Sequence, residues 1–197
     1  MEKHNYFARE IDLIQSEDYR MMMCYYFDEY VPDYFFNVGA SSSGKYHPVF
    51  SQGEGGLVRH TKAVVMFAEE LLRMSSYAYM TDEYKDYVIM ACLAHDTCKY
   101  GITEYNKDEY KSHARNAALN FGCAWAEYMN YSCPEFLLHA IISHMGQWSE
   151  KEDKPFTSID RCVHMADYIA SRSFIDIPVI TEDYNTITSL EEDFLPF

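Results

Sequence analysis

Six polar residues stand inside stretches that otherwise read as apolar helix: His60, His95, Asp96, His113, His144 and Asp167. His95 and Asp96 are the sharpest case, because they follow the run Val-Ile-Met-Ala-Cys-Leu-Ala at 88–94. An adjacent histidine and aspartate at the end of a buried helix cost free energy unless something pairs with them. A divalent metal does so, since neutral imidazole and carboxylate suit Zn, Mn, Fe or Mg to differing degrees. Lys99 lies four residues after His95 and three after Asp96, so one helical turn brings it back over such a site. An ammonium there can hold a phosphate oxygen and stabilise charge in a transition state. The plainer alternatives are a set of satisfied core polar residues and a solvated lysine at a helix end.

These residues need helices to carry them, and the pattern is helical nearly throughout. Apolar and aromatic positions recur at helical spacing over about 5–31, ending before Pro32, with Ser16 as a possible restart. The Ser- and Gly-rich segment from Asn37 to Gly56 reads as a loop. Leu57–Met74 is amphipathic, and Thr81 caps a helix that runs to about Cys98. Further helices are expected from about Ser112 to Met129, from a capping box at Ser132–Glu135 to near Gly146, and from a Ser158 cap onward. After Ser173 the chain turns β-branched and is expected to form an extended tail or short hairpin. The fold class is therefore all-α. One domain over 1–197 is expected, with a motif-bearing core at about 55–172, a helical N-terminal extension at 1–36 and a C-terminal tail at 174–197.

Composition narrows the function classes. With 48% hydrophobic and 16% aromatic residues the 197-residue chain is not of a disordered type. A formal net charge of -15 argues against an extended nucleic-acid groove, although a metal and a few local cations can reverse the field inside one pocket. None of the six cysteines forms a C-x-x-C pair; Cys92, Cys123 and Cys162 read as small core residues. No apolar secretory core and no run of about 18 apolar residues is present, which predicts no membrane partner and a cytoplasmic setting with free thiols. The oligomeric state is left open.

The whole series, H then H-D then H then H then D, resembles the HD-domain superfamily of metal-dependent phosphohydrolases, in particular its stand-alone bacterial and phage members. The matches are GGLVRHT (55–61), ACLAHDTCKYG (91–101), SHARNAA (112–118), LLHAIISHMGQW (137–148) and HMADYIASR (164–172). The resemblance implies an HD helical bundle. His60, His95, Asp96 and Asp167 would hold one metal, and Asp96 would bridge to a second held by His113 and His144. The cofactor is then two divalent ions, from among Mn, Fe, Co, Ni, Mg and Zn. Asp96 and Lys99 would serve catalysis. Lys99, Lys45 and His47 would meet substrate, and Trp148 reads as a candidate to stack on a base at the pocket lip. The implied activity is hydrolysis of a phosphomonoester or phosphodiester bond in a small nucleotide-like substrate, through a metal-bound hydroxide. The same ligand pattern also occurs in di-iron HD oxygenases, and a non-catalytic nucleotide-binding module is a third reading. His164 reads as a core or supporting histidine, His139 as structural, and His4 receives no role. Arg115 and Arg172 are weaker candidates.

Overall fold

The computed structural model describes residues 2–41 and 47–175. Among them are seven α-helices and no strand: α1 (Ala8–Ile11), α2 (Glu17–Tyr25), α3 (Gly56–Leu72), α4 (Asp82–Ala94), α5 (His113–Met129), α6 (Glu135–Ser143) and α7 (Ser158–Ala170). None of these helices is long and apolar enough to cross a membrane. Lys45 and all of the expected C-terminal tail beyond Ile175 lie outside the described residues.

The helix that carries the His-Asp pair is the centre of the bundle. Every residue of α4 from Asp86 to Ala94 is buried, because a helix apolar on all sides has no face to give to water. It packs on α3, α6 and α7, and α3 and α6 also pack on α7. α5 closes the far side against α6 and α2. α3 enters this core through two glycines, and a Cβ on Gly56 would sit 2.3 Å from the Ser51 carbonyl oxygen. The chain can therefore pass close beneath the 49–51 turn before the helix begins.

The N-terminal extension is docked by polar as well as apolar contacts. Met22, Met23, Tyr26 and Phe27 are buried. Ser16 restarts the helix by accepting the Tyr19 amide at 3.4 Å. The buried Asp86 carboxylate accepts the amides of Gln15 at 2.8 Å and Ser16 at 3.0 Å, and Lys62 donates to Glu10 at 2.9 Å.

Several local expectations need correcting. α4 stops at Ala94, not Cys98; residues 95–101 continue as tight turns, with Thr97, Lys99 and Gly101 amides each bonding the carbonyl three residues back. Ser132 caps nothing: α6 starts at Glu135 after Pro134, because the residue before a proline is disfavoured from helical dihedrals. The cap of α7 is Thr157, whose hydroxyl accepts the Asp160 amide while the Asp160 carboxylate accepts the Thr157 amide. Cys123 is exposed, since α5 turns Ala117, Phe121, Ala124 and Trp125 inward and Cys123 falls outside that stripe. Cys92 and Cys162 are buried, and all six thiols are free.

Candidate metal centre

The donors come from five helices. His60 is inside α3, His95 caps the C-terminus of α4 with Asp96 one residue beyond, His113 opens α5, His144 caps the end of α6, and Asp167 is inside α7. Position on a helix end has a local consequence. The last carbonyls of a helix lack an intrahelical partner. His95 Nδ1 donates to the Cys92 carbonyl at 2.7 Å, and His144 Nδ1 to that of Ile141 at 2.8 Å. His113 Nδ1 does the same to Tyr110 at 2.6 Å, at the end of the 3-10 turn 107–112. A ring nitrogen facing a carbonyl carries the hydrogen, so in all three neutral rings the lone pair is on Nε2.

The Nε2 atoms converge, joined by that of His60. The Nε2 atoms of His113 and His144 are 3.1 Å apart, and those of His95 and His60 are 3.4 Å apart. Two groups form: His60, His95 and Asp167 in one, and Asp96, His113 and His144 in the other. Asp96 joins them with a different oxygen to each. Its Oδ2 lies 3.8 Å from His60 Nε2 and 3.6 Å from His95 Nε2. Its Oδ1 lies 3.4 Å from His113 Nε2 and 3.7 Å from His144 Nε2. Asp167 Oδ1 is 3.1 Å from His60 Nε2 and accepts a hydrogen bond from Ser171 at 3.1 Å.

Electrostatics fix the protonation states. Burial pushes His113 down to about 4; it does the same to His144, with His95 adding to the effect, so both are neutral near pH 7. Burial also lowers His95. Burial opposes the charge on Asp96, but Lys99 and the surrounding imidazoles outweigh it and hold the carboxyl well below the usual carboxylate range. Asp167 is likewise held low against burial, through its hydrogen bond with His60 and the nearby imidazoles.

This donor set fits divalent metal. Asp96 Oδ1 is buried and has no hydrogen-bond partner, and neither does His60 Nδ1. A buried carboxylate oxygen facing two imidazole lone pairs has no proton to share, which is costly in a low-dielectric interior. A cation between them removes that cost, and neutral imidazole with carboxylate is an appropriate ligand chemistry. The carbonyl bonds at Nδ1 orient the rings in the way that supporting contacts orient metal-bound histidines.

The centre forms the floor of a cavity of about 480 Å³ whose wall includes His47, Lys99, Trp148, His164, Tyr168 and Arg172. Lys99 is buried and its ammonium donates to Asp96 Oδ2. Burial alone would lower its pKa, but Asp96 holds it above the ordinary lysine value. His47 faces His60 edge-on at 5.6 Å, its Nδ1 is buried without a partner, and burial lowers it to about 4. His164 donates from Nδ1 to the His144 carbonyl at 2.7 Å. Its ring occupies the place a side chain at Gly146 would need: a Cβ there would lie 2.0 Å from Cε1. Arg115 does not line this cavity and pairs with Asp153 at 2.6 Å, and His139 lies 3.1 Å from the buried Asp160 carboxylate. The structure thus gathers all six metal candidates with Lys99, His47 and Trp148. The reading of residue types did not single out Tyr168, nor Ser171, whose spacing of four from Asp167 on one helix was the available signal.

Comparison with known proteins agrees with this geometry. No curated protein and no solved structure matches the chain significantly. The family model of the HD domain matches residues 57–172, a span that begins at the start of α3 and ends just past α7. That span covers well over half of the chain and contains every one of the six donors. The chain therefore belongs to the HD domain family, whose members are in general metal-dependent phosphohydrolases.

Proposed function

We propose that the protein hydrolyses a phosphomonoester or phosphodiester bond of a small nucleotide-like substrate at a centre of two divalent ions. The observation that carries this reading is the placement of Lys99. Its ammonium lies at the shared ligand Asp96, on the floor of a cavity open to a small molecule. His60, His95, Asp167 and Asp96 Oδ2 would hold one ion; His113, His144 and Asp96 Oδ1 would hold the other. A pair of divalent ions there supplies Lewis acidity toward a phosphoryl oxygen and acidifies water at neutral pH.

The chain's own residues supply the rest. Lys99 is a preorganised cation for the non-bridging oxygens, and Asp96 keeps it charged in spite of its burial. His47 remains neutral and offers an uncommitted ring nitrogen on the cavity wall. Lys45, two residues before it in sequence, is proposed to contact substrate. Ser171 orients Asp167, and the carbonyls of Cys92, Tyr110 and Ile141 orient His95, His113 and His144.

The test is a panel of nucleotides and simple phosphoesters with anaerobically purified protein loaded with Mn, Fe, Co, Ni, Mg or Zn. Release of phosphate or nucleoside that disappears in Asp96→Asn is expected. Absence of turnover on every phosphoester, together with a mixed-valent iron signal and oxygen uptake, would instead support oxygenase chemistry.

A further inference from the structure

The cavity has a buried end and an exposed end, and the two differ in chemistry. Asp96 and Lys99 at the floor are 2% and 5% exposed. Trp148 and Tyr168 at the rim are 56% and 37% exposed. The rim rings are parallel to within 16°, with centroids 6.3 Å apart. Arg172 completes the group: its Cζ lies 4.3 Å from the Tyr168 centroid and 6.0 Å from that of Trp148. Its Nε donates to the Tyr168 carbonyl at 3.0 Å, which fixes the guanidinium plane.

Ordinary packing accounts poorly for this arrangement. The second tryptophan, Trp125, is fully buried and packs against the rings of Tyr19, Phe121 and Tyr131. Trp148 leaves more than half of its surface in solvent at a turn set by the positive φ of Gly146, +59°. Arg172 forms no ion pair with a carboxylate among the described residues, in a chain with 31 acidic and 16 basic side chains. The other cation of the cavity wall, Lys99, is committed to Asp96. An exposed aromatic face beside an unpaired guanidinium complements a planar, electron-rich ring that carries hydrogen-bond acceptors. A cavity of about 480 Å³ accommodates one such group together with a sugar phosphate.

We infer that Trp148, Tyr168 and Arg172 form a nucleobase platform, so that the substrate is a mononucleotide with its base against Trp148 and its phosphate at the Asp96–Lys99 end. The inference rests on the phosphohydrolase reading for the phosphate end only. Tyr168 follows Asp167 directly on α7, and Arg172 lies just past the end of that helix, so one helix and its last turn connect the metal ligand to the base platform. Arg172 is the specificity-determining residue, its terminal nitrogens having no carboxylate partner among the described residues and standing beside the rings to meet acceptors on the base edge.

The test uses the full chain loaded with a divalent metal and two probes that share a sugar phosphate, adenosine 5′-monophosphate and ribose 5-phosphate. Trp148 and Trp125 are the only tryptophans, so fluorescence excited at the red edge, where tyrosine does not absorb, reports base stacking after rapid mixing independently of turnover. Saturable quenching by adenosine 5′-monophosphate and none by ribose 5-phosphate is expected. Trp148→Ala, in which Trp125 is the only tryptophan left, should lose the quenching. Where turnover is measured, Trp148→Ala and Arg172→Gln should each raise the nucleotide KM about tenfold. Their kcat should change much less, and their KM for ribose 5-phosphate should hold. Equal quenching by the two probes, quenching that persists in Trp148→Ala, or equal KM values for nucleotide and sugar phosphate would overturn the platform while leaving the hydrolase reading intact. Base-dependent quenching without any hydrolysis would support the platform and count against the hydrolase reading.

Discussion

Two of the molecule's buried sets of charged groups are treated oppositely. Where the N-terminal extension meets α3 and α4, each buried charge has a partner within the chain. Glu10 pairs with Lys62, and Asp86 accepts two backbone amides. At the histidine-aspartate centre the donors face one another instead, with Asp96 Oδ1 and His60 Nδ1 unpartnered. The first place is complete as folded. The second is a set of lone pairs arranged around missing positive charge, relieved only in part by Lys99. Buried polarity alone therefore does not mark a functional site; several buried ligand atoms converging from different helices do.

The largest expected break in this contrast is Asp96→Asn. It removes the one ligand common to both halves of the centre, so bound metal should fall well below two ions per chain by elemental analysis. Turnover should drop by more than about 100-fold, beyond the usual effect of losing a supporting contact. Next is Lys62→Met, which leaves Glu10 buried without its partner. It should destabilise the fold by about 3–5 kcal/mol in urea unfolding and leave metal stoichiometry unchanged. Burial outweighs the pairing in both groups, raising Glu10 and lowering Lys62. The double variant Glu10→Leu, Lys62→Met should accordingly recover most of that loss.

A pH series separates the two places further. His113 and His144 protonate near pH 4 in the folded chain and near 6.5 when unfolded. Between those values the unfolded state binds more protons. The stability of the metal-free protein should thus be full above about 6.5 and decline as pH falls toward 4. A melting temperature of chelated protein that stays flat from pH 7 to 4.5 would contradict the assigned tautomers and burial. The smallest effect is expected for Ser171→Ala, which removes one hydrogen bond to Asp167. Metal affinity should weaken by about tenfold, measured by competition with a chromophoric chelator, with little change in global stability.

Much of the centre was legible before any coordinates. A histidine or aspartate inside an apolar helical stretch is conspicuous, and the six donors recur in the H, H-D, H, H, D order that resembles the HD domain. The bundle was legible for the same reason, since α3, α4, α5 and α7 carry strong helical patterns. The local details were not. Thr157 and Ser158 are chemically alike as caps, and only the backbone geometry selects the threonine. The end of α4 at Ala94 depends on turns around the His95-Asp96 pair that no periodicity records. Cys123 sits in an apolar sequence but on the outer face, which packing of α5 decides. Tyr168 belongs to the cavity rim because of where α7 lies relative to the Gly146–Trp148 turn, a tertiary relation invisible in sequence spacing.

The central claim is that the histidine-aspartate centre is completed by divalent metal. Its most direct test is calorimetric titration of chelator-stripped protein with Mn²⁺, followed by thermal melting of the same samples. Uptake of two ions per chain and a rise in melting temperature that chelator reverses are the predicted result. Absence of binding, with a melting temperature indifferent to both metal and chelator, would contradict the account.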